Sequence, residues 1–579
     1  MTRPSVWAPA AGSVTLMIGS GRHRLSPSGG GWWQGDEGAL THGADYRFVL
    51  DDGEPLPDPR SPWQPEGVHG ASRWVDHAEF EWSDDSWQPP SLEKAIFYEL
   101  HIGTFTPAGT FEAAVDRLPY LRELSVTHIE LMPVNEFPGV RGWGYDGVAP
   151  YAPHHAYGGP AGLKRLVDAA HAEGLAVVLD VVYNHLGPDG NYLDHYGPYL
   201  TERYSTPWGP AVNLDGPGSD EVRRFFIDNA LLWLRDYHFD GLRMDAVHAF
   251  IDVSAVHFLE ELSAAVDELE ERVGRRLLLI AESDLNDPRT VRPRDEHGHG
   301  MDAQWSDDLH HALHVSLTGE REGYYADFEG FTDLCRALSS VFVYEWRFAP
   351  ARGRRHGRAV GRVPRWRFLA YSQNHDQIGN RAAGERLSHL VAADALRVAA
   401  ALIVLGPHVP LLFQGEEWAA GTPFQYFTDH TDPRLAQAVT EGRTHEFEAF
   451  GWEPAAVPDP QAESTFERSR LDWSEQARSP HAEMLDWYRQ LLAARRSIEG
   501  LAAGPPPQVT CDEEQKWLLV ERAGTLLAVN LAAEDRRVEL AAKGWRLELS
   551  SAEGVAWSAG RLTLPRLSAA LLVRDAEPA

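Results

Sequence analysis

Eight short apolar runs alternate with amphipathic helices between residues 93 and 498, and this alternation is what most limits the possible folds. The predicted strands are Ala95–Leu100, His128–Pro133, Ala176–Val182, Gly241–Asp245, Leu277–Ala281, Ala303–Trp305, Arg367–Tyr371 and Val409–Phe413. The predicted helices are Phe111–Leu124, Gly162–Glu173, Glu221–Tyr237, Val253–Val273, Phe331–Phe342, Ala392–Leu405 and Met484–Ile498. Eight strands in such an alternation predict a closed (β/α)₈ TIM barrel. A doubly wound open sheet is the alternative, but no Gly-x-Gly-x-x-Gly motif follows the first strand to support a dinucleotide-binding fold.

The residues on both sides of this alternation form short β-like runs. Runs such as Ser13–Ile18 and Tyr46–Leu50, separated by turns, predict an N-terminal β-sandwich over residues 1–90. Runs such as Trp517–Val520, which follow Gly504–Pro507, predict a C-terminal all-β domain over residues 504–579. The barrel with its loop insertions then covers residues 91–503, and Trp82–Leu92 is the predicted linker.

The charge balance excludes some classes of partner. The 579 residues carry 53 Lys plus Arg against 85 Asp plus Glu, a formal net charge of −32. Nucleic acid and anionic membranes would be repelled by such a chain, so neither is a predicted partner. The same sequence holds 20 Trp and 26 His, and this supply of flat rings and polar donors suits a neutral, hydroxyl-rich ligand.

Cysteine content and hydropathy predict a cytoplasmic protein with free thiols. Two cysteines, Cys335 and Cys511, are too few for a disulfide framework, so we expect two unpaired thiols. No Cys-x-x-Cys pair supports a structural zinc site. The residues from Met1 to Pro9 do not read as a secretory signal. The most apolar stretch, Val398–Phe413, is too short and too interrupted to span a bilayer.

Several predicted strands end in ionisable residues. Asp180 ends the third strand, Asp245 ends the fourth, and Glu282 follows the fifth. Asp376 comes shortly after the seventh strand. Function in such barrels lies at the carboxyl ends of the strands, where these carboxylates would crowd together and raise at least one pKa. One ionised carboxylate and one protonated carboxylic acid are what glycoside cleavage requires.

These residues lie in four short motifs that resemble, in their usual order, the signature regions of the α-amylase family of glycoside hydrolases. The motifs are Asp180–His185, Gly241–His248, Ala281–Glu282 and Asn374–Asp376. The resemblance implies that Asp245 is the nucleophile, Glu282 the general acid and then base, and Asp376 the carboxylate that favours the distorted sugar. The family retains anomeric configuration, which implies a separation of about 5–5.5 Å between the carboxyl groups of Asp245 and Glu282.

The same resemblance implies residues that contact the substrate. Arg243 would keep the nucleophile ionised, and His185 and His375 would donate to sugar hydroxyls beside the cleaved bond. Tyr151 matches the aromatic residue that stacks under the sugar ring at that bond. We also expect His248, which closely follows Asp245, and Arg381, which ends the extended fourth motif, to bind substrate.

Further stretches resemble the maltooligosyltrehalose trehalohydrolases within this family. They are Pro65–Gly70, Tyr98–Thr106, Gln304–His311, Gln373–Arg381, Phe413–Glu417 and Tyr426–His430. The resemblance implies cleavage of the α-1,4 bond next to the terminal trehalose unit of maltooligosyl-trehalose. Asp307, Asp308, His310 and His311 form a polar cluster suited to trehalose hydroxyls, and Trp305 is the expected stacking residue. Leu309 departs from the more usual Phe, a conservative change.

Two other functions remain open from the sequence. A glycogen branching enzyme is the alternative within the family, although such enzymes usually read Ser-His-Asp-Glu where this chain reads Asn374–Gln377. An inactive glucan-binding protein is the alternative from another class, and the intact carboxylates argue against it. We expect no cofactor and no required metal, because Asp180 and Asn184 do not belong to a ligand set large enough for calcium. The family also implies functional pairing with a maltooligosyltrehalose synthase.

Overall fold

A closed barrel of eight parallel strands forms the centre of the computed structural model, which describes residues 3–449, 457–502, 504–540, 544–558 and 560–574. The strands are Phe97–Leu100, His128–Leu131, Ala176–Val181, Gly241–Met244, Leu278–Ala281, Ala303–Trp305, Phe368–Ala370 and Val409–Phe413. Each strand pairs with its neighbour in sequence, and the eighth pairs with the first. The predicted TIM barrel is therefore confirmed.

Helices surround the barrel much as their periodicity predicts. The longer ones are Gly159–Ala172, Ser219–Asp236, Phe258–Val273, Asp307–Thr318, Phe331–Ser340, Ala393–Val404, Pro433–Ala449 and His481–Ser497. The shorter ones are Ile102–Phe105, Phe111–Val115, Leu118–Glu123, Leu193–Tyr196, His375–Gly379, Leu387–Leu390 and Glu463–Arg468.

Two predicted helices differ from the observed ones for local reasons. The single helix predicted over Phe111–Leu124 is two short helices, because Pro119 lies in the first turn of the second and has no backbone N–H to continue the first. The helix predicted to begin at Val253 begins at Phe258, where the His257 side chain accepts a hydrogen bond from the backbone N–H of Leu259. The helix Asp307–Thr318 was not predicted.

The barrel interior explains why its strands are apolar on both faces. Inward-facing side chains such as Phe97, Val178, Ile280 and Leu411 pack in one buried cluster, and the outward faces pack against the surrounding helices. A strand buried on both sides reads as a continuous apolar run. Polar residues inside the barrel are therefore exceptions to this apolar pattern.

All-β sheets flank the barrel at both ends of the chain. The N-terminal strands are Ser5–Trp7, Val14–Ile18, Gly21–Arg24, Ser26–Gly29, Trp32–Gln34, Asp45–Leu50, Pro55–Leu56 and Ser72–Arg73, arranged in two antiparallel sheets. The C-terminal strands are Gln508–Asp512, Trp517–Arg522, Thr525–Asn530, Arg536–Glu539, Trp545–Ser550, Ala556–Ser558, Arg561–Leu564 and Ser568–Arg574, also in two sheets. Three hairpins extend from barrel loops: Asn135–Glu136 with Ala149–Pro153, Leu200–Thr206 with Gly209–Val212, and Glu345–Ala349 with Arg354–Gly357. Residue 503, the predicted end of the barrel domain, lies outside the described residues, as do residues 575–579.

The prediction of two free thiols is wrong, because Cys335 and Cys511 form a disulfide. Cys335 lies on helix Phe331–Ser340 and Cys511 on the first C-terminal strand, 176 residues later, with 6.5 Å between their Cα atoms. Packing of that strand against that helix brings the two residues together, and neither composition nor spacing reveals such a contact. The bond ties the C-terminal sheet to the barrel.

Removing this disulfide is expected to destabilise the protein. Replacing both residues (Cys335→Ser with Cys511→Ser) frees a long loop in the unfolded chain, and the expected loss is about 2–4 kcal/mol of unfolding free energy. Urea titration of the oxidised wild type and the double variant measures it, and the reduced wild type serves as the control because it should match the variant. Two titratable thiols in the unreduced, denatured wild type would contradict the disulfide.

Within the described ranges, no helix combines the length and the apolar character that crossing a membrane requires. The most apolar stretch of the sequence divides into the end of helix Ala393–Val404, a turn and the eighth barrel strand.

Candidate active site

Three neighbouring barrel strands deliver carboxylates to the same mouth of the barrel. Asp180 lies in the third strand, Asp245 follows the last residue of the fourth, and Glu282 follows the last residue of the fifth. The third strand pairs in parallel with the fourth and the fourth with the fifth, so their carboxyl ends lie side by side. Asp376 joins them from the short helix His375–Gly379, which begins beyond the seventh strand.

Arg243 holds this group of carboxylates together. Its Nη1 donates to Asp180 Oδ2 and to Asp245 Oδ1, both at 2.8 Å, and its Nη2 lies 3.3 Å from Glu282 Oε2. The guanidinium is fully buried and lies 4.3 Å from the centroid of the Trp305 ring. One cation thus faces three acids, and both predicted reacting carboxylates lie within reach of it. Their separation of about 5–5.5 Å stays a prediction.

The surroundings of Glu282 favour the protonated form of its carboxyl group. Burial raises the pKa of its carboxyl well above the ordinary value; Arg243 opposes this shift, and the charges of Asp245 and Asp376 add to it. The backbone N–H of Ala246 donates to Glu282 Oε2 at 2.6 Å, which orients the carboxyl group. A carboxylic acid that keeps its proton near neutral pH suits proton donation to a leaving oxygen.

A chain of hydrogen bonds connects His375 to the acids. Its Nδ1 contacts the carboxylate of Glu99, and its Nε2 lies 2.7 Å from the hydroxyl of Tyr145. That hydroxyl donates to Asp180 Oδ2 at 2.6 Å. Burial lowers the pKa of His375, but the charges of Asp376 and Glu99 outweigh it and raise the pKa to about 9. The imidazolium therefore donates to Glu99 and to Tyr145.

Sequence reasoning missed two members of this network, Glu99 and Tyr145. Glu99 is the only carboxylate of the first barrel strand and is buried inside the barrel. A charged residue in an otherwise apolar strand was the signal that could have revealed it. Tyr145 belongs to the same short segment as Tyr151, and the sequence offers no rule for choosing between the two tyrosines.

The prediction for Tyr151 is wrong. Its hydroxyl donates to the backbone carbonyl of Phe225 at 2.5 Å, and its ring packs against the Phe225 ring with 5.2 Å between centroids. The guanidinium of Arg60, from the N-terminal region, lies 5.4 Å from the centroid of the same ring. The tyrosine at the barrel mouth is Tyr145, which stacks on His375 with 5.1 Å between centroids.

A cavity of about 590 Å³ adjoins this group of carboxylates through Asp376, which lines it, whereas Asp245 and Glu282 do not. Four of the predicted residues line it: Asp307, Asp308, His311 and Asp376. Sequence reasoning did not assign the other polar and aromatic residues of its wall, which include Asp284, Tyr324, Asp327, Tyr344, Arg352 and Gln377. Arg352 lies in the turn of the hairpin beyond the sixth strand, and Tyr344 directly precedes that hairpin. Arg352 donates to Asp284 Oδ2 at 3.0 Å. The cavity is walled by carboxylates, aromatic rings and one guanidinium.

Asp307 and Asp308, two neighbouring aspartates of this wall, are held differently. Asp307 accepts from the Tyr371 hydroxyl at 2.5 Å, whereas Asp308 accepts from Asn286 Nδ2 at 2.8 Å and from the backbone N–H of Val343 at 2.5 Å. Burial raises the pKa of both carboxyl groups to about 6. Asp308 therefore also anchors the segment that leads into the hairpin.

Two predicted sugar contacts are wrong. The Trp305 ring is 2% exposed and packs inside the barrel between Arg243 and Tyr371, so it cannot stack on a sugar in the cavity. His310 is also buried, with Nδ1 2.9 Å from the Ser372 carbonyl oxygen and Nε2 3.1 Å from the Tyr325 hydroxyl. Inward orientation of a strand residue and of one helix face explains both results, and the spacing of the motif does not reveal either.

Three further predicted residues have other neighbours. His185 Nε2 lies 3.0 Å from the Tyr145 carbonyl oxygen, and its ring stacks on the half-exposed Trp208 with 4.9 Å between centroids. His248 Nδ1 is 4.0 Å from Asp284 Oδ1, which places it near the cavity wall. Arg381 donates through both Nη atoms to Glu320 at 2.7 and 3.0 Å and does not line the cavity. A direct role for Arg381 in binding is therefore not supported.

Among the described residues, one group offers three close ligand atoms for a metal ion: Glu136, His154 and His155, within 4.8 Å of one another. The His155 Nδ1 lies 2.6 Å from Glu136 Oε1, and the backbone N–H of His155 donates to Oε2. This pairing accounts for the carboxylate without an ion. The expected absence of a required metal stays a prediction.

The chain is similar to named proteins over nearly its whole length. The family model for the alpha amylase catalytic domain matches residues 77–205. A malto-oligosyltrehalose trehalohydrolase of Rhizobium sp. (strain M-11) is 49% identical over 98% of this chain and 97% of that protein. The chain belongs to the malto-oligosyltrehalose trehalohydrolase family. Another protein of that name, from Saccharolobus solfataricus, is 44% identical over 90% of this chain and 89% of its own length.

Solved structures share the fold of this chain. A structure from Salmonella typhimurium, described as an alpha amylase, is 39% identical and superposes with a TM-score of 0.91 over 99% of this chain and 97% of that one. A pullulanase from Anoxybacillus sp. LM18-11 superposes with a TM-score of 0.73 at 19% identity, covering 99% and 86% of the two chains, and shares the fold. A 1,4-alpha-glucan branching enzyme from Corynebacterium jeikeium is 31% identical over only 52% of this chain and 47% of its own length.

Proposed function

We propose that this chain is a retaining glycosidase that cleaves the α-1,4 bond next to the terminal trehalose unit of maltooligosyl-trehalose. The products are free trehalose and a maltooligosaccharide. One arrangement carries the proposal: Arg243 faces Asp245 and Glu282 at a barrel mouth, burial favours the protonated form of Glu282, and Asp376, whose charge acts on Glu282, lines a nearby cavity. The relatives that bear the trehalohydrolase name support the choice of substrate.

The proposed reaction has two displacements. In the first, an Asp245 oxygen attacks the anomeric carbon while Glu282 gives its proton to the glycosidic oxygen, so trehalose leaves with a complete hydroxyl. In the second, Glu282 takes a proton from water, the water oxygen attacks the same carbon, and the bond to Asp245 breaks. Two inversions give net retention, and both residues return to their starting states. Arg243 balances the charge that moves between the two carboxyl groups.

The neighbouring residues are proposed to hold the sugar at the cleaved bond. Asp376 is partly exposed and lines the cavity, so its carboxylate is available to sugar hydroxyls. The Tyr145 ring stacks on His375 and its hydroxyl donates to Asp180, which places an aromatic ring beside the group of carboxylates. These contacts would favour the flattened ring of the oxocarbenium-like transition state.

The cavity is proposed to receive the trehalose unit. Its volume of about 590 Å³ lies within the range of small-ligand pockets, about 300–1,000 Å³. Asp307, Asp284 and Arg352 supply groups that bond vicinal hydroxyls, and Tyr324 supplies an apolar face. A ligand that lacks the second glucose ring would leave such groups unpaired, at about 1–3 kcal/mol each. The site would therefore select a chain that ends in trehalose.

Chromatography of the products from maltotriosyl-trehalose tests the proposal. We expect trehalose and maltotriose in equal amounts. We also expect that no α-1,6 linkages form when amylose is added. New α-1,6 branches without release of trehalose would favour the glycogen branching enzyme and refute the trehalohydrolase. Binding of substrate with no product of either kind would point to an inactive glucan-binding protein.

The rate is expected to fall on the alkaline side of its pH profile. Glu282 must be protonated to assist the leaving oxygen, so kcat/KM should be high below its raised pKa and decline as pH rises through it. Initial rates on maltotriosyl-trehalose from acid to alkaline pH measure this. Glu282→Gln has no proton to lose, so its residual rate should lack that decline, whereas Asp194→Ala, a change at an exposed acid, should keep the wild-type profile. A decline that persists in Glu282→Gln would assign the titration to another group.

The domain division is also a proposal. We assign residues 1–90 to a carbohydrate-binding-like β-sandwich, residues 91–503 to the catalytic barrel, and residues 504–579 to a C-terminal β domain. The strand positions support it, since the last N-terminal strand ends at Arg73, the first barrel strand begins at Phe97, and the first C-terminal strand begins at Gln508.

We propose a cytoplasmic location and functional pairing with a maltooligosyltrehalose synthase, which would supply the substrate. The Cys335–Cys511 bond bears on the location, because disulfides are rare in the reducing cytosol. Rapid alkylation of thiols in intact cells, followed by mass analysis of this chain, measures whether the bond forms there.

A further inference from the structure

We propose that a second cavity, between the N-terminal sheets and the barrel, binds a short α-linked glucose oligosaccharide. The cavity measures about 370 Å³ and is bounded by N-terminal residues such as Phe48 and Trp74 and by barrel residues such as Tyr151 and Leu232. The choice of ligand rests on the proposed function, which makes maltooligosaccharide both part of the substrate and a product. No residue that lines this cavity lines the one beside the catalytic carboxylates.

Aromatic rings form the inner wall of this second cavity. Tyr46, Phe48 and Tyr151 are almost completely buried there, and Trp74 is partly exposed and meets the Tyr46 ring edge-on at 6.3 Å. Phe48 and Tyr46 come from one N-terminal strand, so the sandwich supplies one side and the barrel supplies Tyr151 on the other. The partly exposed Trp74 supplies the flat apolar surface that suits the C–H face of a glucose ring, and the buried rings support the wall behind it.

Hydrogen-bonding groups lie among these rings. Asp58 accepts from the Tyr46 hydroxyl at 2.7 Å and from the backbone N–H of Arg60 at 2.8 Å, one bond to each carboxylate oxygen. Each oxygen can accept at least one more. The His77 Nδ1 is shielded and has no hydrogen-bond partner among the described residues. Burial lowers the pKa of His77 to about 4, so the ring is neutral and one of its nitrogens can accept from a hydroxyl.

The charges around the cavity cancel, which favours a neutral ligand. Three arginines and three aspartates line it: Arg3, Arg60, Arg235, Asp58, Asp76 and Asp236. Each of these arginines already has a carboxylate partner. Arg60 Nη1 donates to Asp228 Oδ2 at 2.8 Å, Arg235 Nε donates to Asp236 Oδ1 at 3.0 Å, and Arg3 Nη2 lies 3.9 Å from Glu37 Oε2. A phosphate would face the aspartates without enough free cations, and an ammonium group would face the arginines. Aromatic walls with scattered carboxylate and guanidinium groups match a polyhydroxylated ring.

Binding of maltotriose to the wild type and to Leu232→Trp tests the proposal. Leu232 lies on helix Ser219–Asp236, is partly exposed and lines the second cavity, so a Trp side chain there should fill the space without disturbing a tight core. Calorimetry should show two classes of site in the wild type and one class in Leu232→Trp. The kcat on maltotriosyl-trehalose should stay within about twofold of the wild-type value, since Leu232 does not line the cavity that Asp376 lines.

Two further measurements keep the result decisive. Trp74→Ala acts from the opposite wall, and loss of its ring should weaken the second class of site about tenfold. Trp557→Ala, in the C-terminal sheet, is the matched control and should leave both classes unchanged. A crystal soaked in maltotriose should hold sugar in the second cavity. One class of site in every protein, or a soaked crystal with sugar only beside Asp376, would overturn the proposal.

The experiments distinguish failure of the second binding site from failure of the proposed function. An enzyme that releases trehalose and binds maltotriose at one site keeps the proposed function and loses the second cavity. An enzyme that releases no trehalose but holds maltotriose in the second cavity loses only the proposed function.

Discussion

Asp245→Ala is expected to lower kcat on maltotriosyl-trehalose by about 10⁴-fold or more, because no other group is positioned to attack the anomeric carbon. Binding of the oligosaccharide should remain measurable, since Asp376 and the wall of the larger cavity are unchanged. The carboxylate is 10% exposed and accepts from Arg243 at 2.8 Å, so it is open to substrate on one side and held on the other. Initial rates and calorimetry on the same preparation measure the two effects.

Chemical rescue separates loss of the nucleophile from general damage to the site. Azide fits the space left by the deleted side chain and can attack in its place, which should restore turnover and give a glycosyl azide of inverted configuration. Asp194→Ala, which removes an exposed carboxylate from helix Leu193–Tyr196, is the matched control and should retain the wild-type rate. A wild-type rate in Asp245→Ala would refute the assignment of the nucleophile.

Arg243→Leu is expected to lower both stability and activity. The guanidinium is completely buried and faces Asp180, Asp245 and Glu282, so its removal leaves acidic groups crowded together without a counter-charge. Breaking a buried ion pair by removing one partner costs about 3–5 kcal/mol. Urea-induced unfolding followed by circular dichroism measures the loss, and kcat/KM on the folded variant measures the catalytic effect.

The conservative variant and a surface variant complete this test. Arg243→Lys restores one positive charge but not the planar group that reaches three carboxylates, so it should recover stability more than activity. Arg224→Ala removes an exposed arginine 3.8 Å from Asp228 and should change the unfolding free energy by about 1 kcal/mol or less. Stability of Arg243→Leu equal to that of Arg224→Ala would contradict the role of Arg243 as the buried counter-charge.

Pattern and chemistry explain why so much of the barrel could be predicted. The predicted strands coincide with the observed ones to within two residues at either end, because strands buried on both faces read as apolar runs. Asp180, Asp245 and Glu282 lie at strand ends in the sequence and at one mouth in the structure, since parallel neighbours end together. Their grouping follows from topology once the eight strands are recognised.

The errors share a different origin. Tyr145 and Tyr151 lie on one short segment, and the packing of Tyr151 against Phe225 decides which of the two faces the carboxylates. Trp305 reads as a sugar-stacking residue, yet its position in the sixth strand turns the ring inward beneath Arg243. The pairing of Cys335 with Cys511 depends on how the C-terminal sheet packs against one barrel helix.

The sequence by itself determined the barrel, the flanking β regions and the carboxylates that meet at one mouth, because these follow from local periodicity and the order of strands. Only the tertiary structure decided which ring faces the site, which acid is buried so that its pKa rises, and that the two cysteines are joined. It also decided the placement of the two cavities. Those properties depend on contacts between groups that are far apart in the chain, and on the burial and charge of those groups. These contacts form only when the chain has packed.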